Sequence, residues 1–201
     1  MPNKTLRREL ISWSIFLAVG LTLYLTGWHT EVIGQLQRVI LATGMMRPDT
    51  DAGKLGEASY AFDLYDAQGR RVNFDEFRGK TVFLNFWATW CPPCVAEMPD
   101  IHDLYEKKGD EVVFVMLSLD KEPGKAKAFV ERKGFTFPIY FPASPLPEVY
   151  DFGTIPTTYV ISPEGSIVLA RSGMAKYDTK SFRNFLDERR EVVVDPPGER
   201  R

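Results

Sequence analysis

Thr81-Val82-Phe83-Leu84-Asn85-Phe86-Trp87-Ala88-Thr89-Trp90-Cys91-Pro92-Pro93-Cys94-Val95-Ala96-Glu97-Met98-Pro99 is the stretch on which the reading of this chain turns. Val82 to Trp87 is short, almost wholly apolar and rich in β-branched and aromatic residues, the pattern of a strand buried on both faces of a sheet. A helix is expected next. Cys91, Pro92, Pro93 and Cys94 then occupy its N-cap and first turn, where proline is tolerated because the amide it lacks has no internal partner anyway. These are the only two cysteines in the chain.

Thiols at positions i and i+3 of a helix start are close enough to close a small-ring disulfide, a bond suited to repeated opening and closing. Cys91 lies where unpaired amides and the helix dipole favour negative charge, so it is expected to be the more acidic, attacking thiol, with Cys94 shielded one turn inside. In such motifs the attacking thiol drops from a pKa of ~8.5 to ~3.5–7.5. Neither proline offers an N–H, which leaves the Cys94 amide as the expected first-turn donor to the Cys91 sulfur and predicts a moderate shift.

Working outward, Tyr60 to Tyr65, a turn at Asp66-Ala67-Gln68-Gly69 and a run through Val72 and Phe74 predict a hairpin, with Phe74 and Phe77 leading into a short helical element before Gly79. Beyond the cysteine helix, Glu111 to Leu119 reads as a second buried strand and Lys121 to Lys133 as an amphipathic helix stopped by Gly134. Strands alternating with helices imply βαβ units with parallel pairing at the sheet centre. A Pro-punctuated helical turn is expected near Leu146 to Phe152. Tyr159 to Ser162 and Ser166 to Arg171 predict a hairpin across Pro163-Glu164-Gly165, and Asp178 to Arg190 a closing helix.

Ile11 to Trp28 runs for eighteen residues without a charge and follows Lys4, Arg7 and Arg8. At ~1.5 Å per residue such a helix nearly spans a ~30 Å hydrocarbon core, with its basic flank in the cytoplasm. A cleaved signal peptide is the competing reading, disfavoured by the length of the run and the lack of a small-x-small site directly after it. Val32, Ile33, Leu36, Val39, Ile40 and Thr43 then recur at helical spacing, which suits a membrane-surface helix, a segment docked on the domain, a self-pairing segment or a plain amphipathic spacer. With 201 residues, 44% hydrophobic, and a formal charge of -2, the remainder can bury one good-sized core. Scattered Lys and Arg outnumbered by acids argue against a nucleic-acid partner.

Trp-Cys-Pro-Pro-Cys after a buried strand, with Pro99 five residues beyond the second cysteine, resembles the thioredoxin fold and, within it, the membrane-tethered TlpA/ResA-like (CcmG-like) thiol-disulfide oxidoreductases. The likeness spans roughly Leu55 to Arg190. It implies an α/β, thioredoxin-like central mixed sheet flanked by helices, with an N-terminal hairpin extension and an N-terminal transmembrane helix. The chain then divides into a cytoplasmic N-terminus (1–10), a transmembrane signal-anchor helix (11–28), an amphipathic segment and linker (29–54), a thioredoxin-like domain (55–190) and a flexible tail (191–201). That places a single-pass protein in the cell membrane, with its C-terminal domain on the extracytoplasmic side.

By the same resemblance, Ile155-Pro156 corresponds to the cis peptide that faces the disulfide, exposing the Ile155 backbone to an extended substrate strand. From the residues alone an ordinary proline at a strand start fits equally. Trp90 is expected to pack beside the disulfide and shape the docking surface, Trp87 to lie in the core below it. Trp90, Pro92, Pro93, Ile155 and Pro156 thus form the expected substrate contacts. Thioredoxin-type proteins usually carry an aspartate six residues before the first cysteine; here that position is Asn85, which cannot titrate. Glu97, one turn beyond Cys94, matches a glutamate of the ResA-like subgroup, and if partly buried its raised pKa suits it to take the Cys94 proton. Its alternative is a glutamate that merely complements the helix dipole.

Cys91, Cys94 and Glu97 are therefore the expected catalytic residues, with no cofactor beyond the Cys91–Cys94 pair. A structural zinc is not expected from two cysteines plus His29 and His102. Thr89 is too close to Cys91 for a peroxidase Thr-x-x-Cys pattern, and Val95 stands where haem attachment needs histidine. The implied activity is reduction of protein disulfides in the envelope, apocytochrome c thiols among them, with the pair re-reduced by a membrane-embedded electron donor. A thiol oxidase or isomerase of the same fold, or a tethered chaperone or metallochaperone, are the other readings of these residues.

Overall fold

The computed structural model describes residues 4–26, 48, 55–150 and 153–189. The expected segment and linker over 29–54 and the tail over 191–201 lie outside the described residues, Pro48 and Leu55 onward apart. The first helix, α1 (Lys4–Thr26), is 23 residues long, and Leu10, Trp13, Phe16 and Leu17 are exposed along it. No helix among the described residues is long and apolar enough to cross a membrane. Gly27 and Trp28, which complete the uncharged run, lie outside the described residues.

From Leu55 onward the chain builds one eight-stranded sheet, and its strands in chain order are β1 (Gly56–Glu57), β2 (Asp63–Asp66), β3 (Arg71–Asn73), β4 (Val82–Trp87), β5 (Val113–Ser118), β6 (Ile139–Pro142), β7 (Thr157–Ile161) and β8 (Ser166–Ser172). Their spatial order is β1-β8-β7-β4-β5-β6-β2-β3. β4, β5 and β6 pair in parallel, joined by crossover helices α2 (Pro92–Lys108) and α3 (Pro123–Lys133); a parallel pair needs such a connection because a tight turn cannot reverse the chain twice. The other pairings are antiparallel, so the sheet is mixed, as expected.

β4 is buried throughout, and its alternation separates two cores. Phe83 and Trp87 join side chains of α2, α3 and the closing helix α4 (Lys180–Asp187). Val82, Leu84 and Phe86 join Tyr60, Phe62, Phe74 and Tyr150. Burying a Leu- or Phe-sized side chain stabilises by about 1.5–3 kcal/mol, so this central strand anchors both layers.

The hairpin forms, with Leu64 opposite Val72, and sits at the sheet's far edge against β6. It is shorter than expected. Tyr60 to Phe62 stays outside the ladder because the Phe62 amide turns back to the Tyr60 carbonyl at 2.9 Å, which sends both rings into the second core. A 3-10 turn over Phe74–Phe77 follows, closed by a capping box between Asn73 and Glu76. α3 begins at Pro123, later than Lys121, and stops at Gly134, whose left-handed φ of 70° suits a residue without Cβ. The expected helical turn near Tyr150 is a 3-10 turn over Glu148–Tyr150. α4 starts after Thr179, whose hydroxyl accepts from the Phe182 amide at 3.2 Å. Asp178 is excluded from it because its own amide is held by Asp100 of α2. The two-residue β1, paired to β8, is too short to leave a pattern in the sequence.

Candidate active site

The C-terminal ends of the parallel strands β4 and β5 lie side by side, with Trp87 opposite Ser118, and the loop after β4 turns directly into α2. Cys91 is the N-cap of α2 in extended conformation, with prolines in the first two helical positions. The Cys94 amide donates to the Cys91 sulfur at 3.2 Å, the contact expected of the one unblocked first-turn donor. The sulfurs are joined as a Cys91–Cys94 disulfide with Cα atoms 5.3 Å apart. Cys94 is inaccessible and Cys91 only 4% exposed, so of the two sulfur-bearing residues only Cys91 reaches solvent, through a narrow aperture.

Across from the sulfurs the Ile155-Pro156 peptide is cis, and the Ile155 carbonyl oxygen lies 3.7 Å from the Cys91 sulfur. A groove of about 470 Å³ runs past the disulfide, lined by Trp90, Cys91, Pro92, Pro93, Leu119, Gly153, Thr154 and Ile155. The structure thus brings four of the five expected substrate contacts to one surface, while Pro156 is buried behind Ile155. Trp90 is 58% exposed at the rim and Trp87 fully buried beneath. Among the described residues, no charged side chain lines this groove.

Glu97 is fully buried, more deeply than the sequence suggests. Its Oε1 accepts from Asn85 Nδ2 at 2.9 Å and its Oε2 from the Ala175 amide at 3.1 Å. Burial pushes its carboxyl up to about 8; the two hydrogen bonds and the Arg171 cation oppose that rise and the nearby Asp100 adds to it. A side chain so enclosed is no solvated dipole-complementing glutamate. Asn85, also fully buried, donates its second N–H to the Thr158 hydroxyl at 2.9 Å. Asp100, itself raised mainly by burial, accepts the amides of Tyr177 and Asp178. It thereby holds the segment that carries the Ala175 amide against α2.

Two features escape a reading of the sequence. Asp120 accepts from the Thr89 amide at 3.0 Å, the Thr89 hydroxyl at 2.6 Å and the Ser118 hydroxyl at 2.9 Å, fixing the loop just before Cys91 to the end of β5. Leu119, whose amide bonds to the Trp87 carbonyl at 2.8 Å, supplies one wall of the groove. The signal for both was their place at the carboxyl end of a predicted parallel strand, where α/β sheets put their sites. His102, Asp103 and Glu106 bring three potential ligand atoms within 4.8 Å of one another on the outer turns of α2, away from this groove; His102 is engaged there by the Thr136 hydroxyl at 3.1 Å.

Comparison with known proteins agrees with this geometry. Residues 55–170 match the AhpC/TSA family. The chain is 33% identical over 183 residues to the thiol-disulfide oxidoreductase ResA of Geobacillus thermodenitrificans, covering 89% of this chain and 93% of that one. With ResA of Halalkalibacterium halodurans it shares 35% identity over 141 residues, 69% of this chain and 80% of the other. Among solved structures it is similar to StoA from Bacillus subtilis, at 27% identity and a TM-score of 0.51, covering 59% of this chain and 92% of that one. A Chlorobium tepidum structure assigned as a thiol:disulfide interchange protein of the DsbE type matches at 26% identity and a TM-score of 0.58, over 70% of this chain and 98% of that one.

Proposed function

This chain belongs to the AhpC/TSA family and is a thioredoxin-like thiol-disulfide oxidoreductase of the ResA type, and from that premise we propose that it works outside the cytoplasm, tethered by its N-terminal helix, as a reductant of protein disulfides. The observation that carries this reading is the Cys91–Cys94 bond at a strand-to-helix junction, with the Cys91 sulfur facing the Ile155 backbone beside a groove whose described lining is uncharged. An extended peptide seated along Ile155 presents its own sulfur to Cys91.

In the proposed cycle the Cys91 thiolate attacks a substrate disulfide; the substrate S–S bond breaks, a mixed disulfide forms and one substrate thiolate leaves. Cys94 passes its proton to the Glu97 carboxylate and attacks the Cys91 sulfur. The Cys91–Cys94 bond forms, the second substrate sulfur leaves as a thiolate, and the proton held on Glu97 is released to it, so two electrons and one proton move from the enzyme to the substrate. A carboxyl at about 8 is close to the ~8.5 of a free thiol, which makes proton exchange between them nearly even in energy. Trp90, Pro92, Pro93 and Ile155 contact the substrate, and Pro156 supports Ile155 from behind.

A specific feature favours reduction over oxidation. Strong oxidants of this fold stabilise their reduced form, and here Pro92 and Pro93 leave Cys94 N as the first-turn donor to Cys91, which limits thiolate stabilisation. In an oxidising compartment a reductant needs a steady electron supply, and a membrane-embedded donor meets that need. Apocytochrome c thiols are among the substrates this reading allows. The test is Cys94→Ser in the native membrane: Cys91-linked adducts recovered by mass spectrometry identify the substrates, and their absence overturns the reading. A reduction potential near or above about -150 mV against glutathione argues for oxidation instead.

A further inference from the structure

Asn85, Thr158 and Arg171 occupy one rung of the sheet, opposite one another on β4, β7 and β8. The same rung carries Met116 on β5, so an apolar row becomes polar where it passes beneath Glu97. Both N–H groups of the Asn85 amide are used, one on Glu97 and one on Thr158, while its carbonyl oxygen Oδ1 is buried without a hydrogen-bond partner. A buried acceptor left unpaired is costly, and native interiors rarely tolerate one.

The arrangement around Glu97 suits the carboxylate only: Oε2 faces a backbone N–H and Oε1 faces an amide N–H. Once Glu97 holds a proton it needs an acceptor, and neither partner offers one in this orientation. Asn85 from β4 and the Ala175 amide bond to it, and Thr158 from β7 bonds to Asn85. Asp100 on its own helix, Arg171 from β8 and Tyr177 from the segment after β8 act on it through their charge or dipole, and Cys94 lies one helical turn away. Arg171 and the Ala175 amide can only donate. Tyr177 is kept neutral by burial, and its hydroxyl, also buried without a partner, is the other group there able to accept.

We propose that Asn85 is a positioning residue for the Glu97 proton, its amide presenting Nδ2 to the charged carboxylate and turning over to present Oδ1 to the carboxylic acid. The half-turn exchanges the positions of Nδ2 and Oδ1, so the contact with Thr158 reverses with it and Nδ2 takes the unpaired place; each state leaves one end of the amide without a partner, which keeps the two states comparable. A hydroxyl can serve either way, accepting from Nδ2 in one state and donating to Oδ1 in the other. The proton balance is closed: Cys94 loses one proton, Glu97 Oε1 gains it, and no electrons move in the turn. Asparagine does here what aspartate cannot, because a second carboxylate at this position repels the first.

This inference rests on the proton role proposed for Glu97, but its test reads the amide itself. The full oxidised chain, in detergent micelles and labelled with 13C at asparagine and glutamate, is titrated by NMR across the Glu97 transition. With only Asn3, Asn73, Asn85 and Asn184 in the sequence, the Asn85 signal is assigned by its loss in Asn85→Leu. The expected result is a downfield move of the Asn85 carbonyl carbon as pH falls, as Oδ1 gains its hydrogen bond, with the same midpoint as the Glu97 carboxyl carbon. In Glu97→Gln the Asn85 signal is expected to stay flat. In Asn85→Leu the pH limb of the resolution rate is expected to move upward, about tenfold in acid dissociation constant. A flat Asn85 carbonyl beside a titrating Glu97 overturns the reversal and leaves the proton role standing. A Glu97→Gln chain that resolves its mixed disulfide at the wild-type rate and pH profile overturns the proton role, while the amide reversal is judged on the titration alone.

Discussion

Replacing Glu97 by glutamine should make the oxidised protein more stable at alkaline pH than the wild type, relative to their difference in acid. In the folded chain the buried carboxyl keeps its proton up to about 8, while its ordinary value is 4.5. Between those two values the native state holds one proton that the unfolded state has released, so the free energy of unfolding falls as pH rises. Each pH unit in that window is worth about 1.4 kcal/mol, and the interval from 4.5 to about 8 therefore amounts to an upper figure of about 5 kcal/mol. The stabilising contribution is intact below 4.5 and gone once the pH has passed about 8. Glutamine cannot titrate, so the slope vanishes in the variant. Its NH2 group must confront one of the two N–H donors that the carboxylate accepts, which costs a fixed amount at every pH. Urea unfolding of both oxidised chains, followed by tryptophan fluorescence at about pH 5, 7 and 9, should show the variant gaining on the wild type by several kcal/mol across this range and then levelling. Parallel stability curves would refute the idea that this carboxyl carries a burial-driven proton.

Asp120→Ala removes the acceptor for three donors around the Cys91 loop. Loss of about 2–4 kcal/mol in urea unfolding is expected, together with slower attack by reduced Cys91 on a peptide disulfide in stopped flow. Leu119→Glu puts a charge in a groove wall whose described residues are uncharged; KM for peptide disulfides should rise, while reduction of a small symmetric disulfide that does not fill the groove should keep its rate. Tyr150→Phe deletes a buried hydroxyl that donates to the Ser59 carbonyl at 2.9 Å and should lower stability by about 1–2 kcal/mol with kcat unchanged, since it lies in the second core. For the tether, protease added to intact spheroplasts should degrade the C-terminal domain and spare an N-terminal epitope; protection of both ends counts against an outward-facing domain.

The centre of this fold was legible because its signals are local. An unbroken apolar run followed by Cys-Pro-Pro-Cys needs no partner to declare a buried strand handing over to a helix, and Gly134 marks a helix end by its own conformational freedom. What lies at the edges depends on distant chain. Whether Tyr60 to Phe62 joins a ladder is decided by where Phe74 and Tyr150 need the two rings packed, and β1 exists only because Ile167 offers it an edge. Asp120 looks like the polar end of a strand until Thr89, far away in sequence, is brought against it.

The same limit explains the buried acid. Asn85 stands out as the one amide in Val-Phe-Leu-Asn-Phe-Trp, and Thr158 is the second residue of a strand of ordinary β-formers; each alone reads as a tolerated polar residue. Only the antiparallel pairing of β4 with β7 puts them on one rung, and only the docking of α2 above that rung lowers Glu97 onto them. The carboxyl spacing of one helical turn from Cys94 tells which face Glu97 shares, but its protonation is set by closure from above, where Asp100 holds Tyr177 and Asp178 so that the Ala175 amide seals the remaining oxygen. A chain that had merely needed a helix-dipole partner would have left this glutamate in water. Here three elements remove it from solvent while supplying too few donors to keep it fully charged, and that imbalance is what suits it to the proton transfer proposed for it.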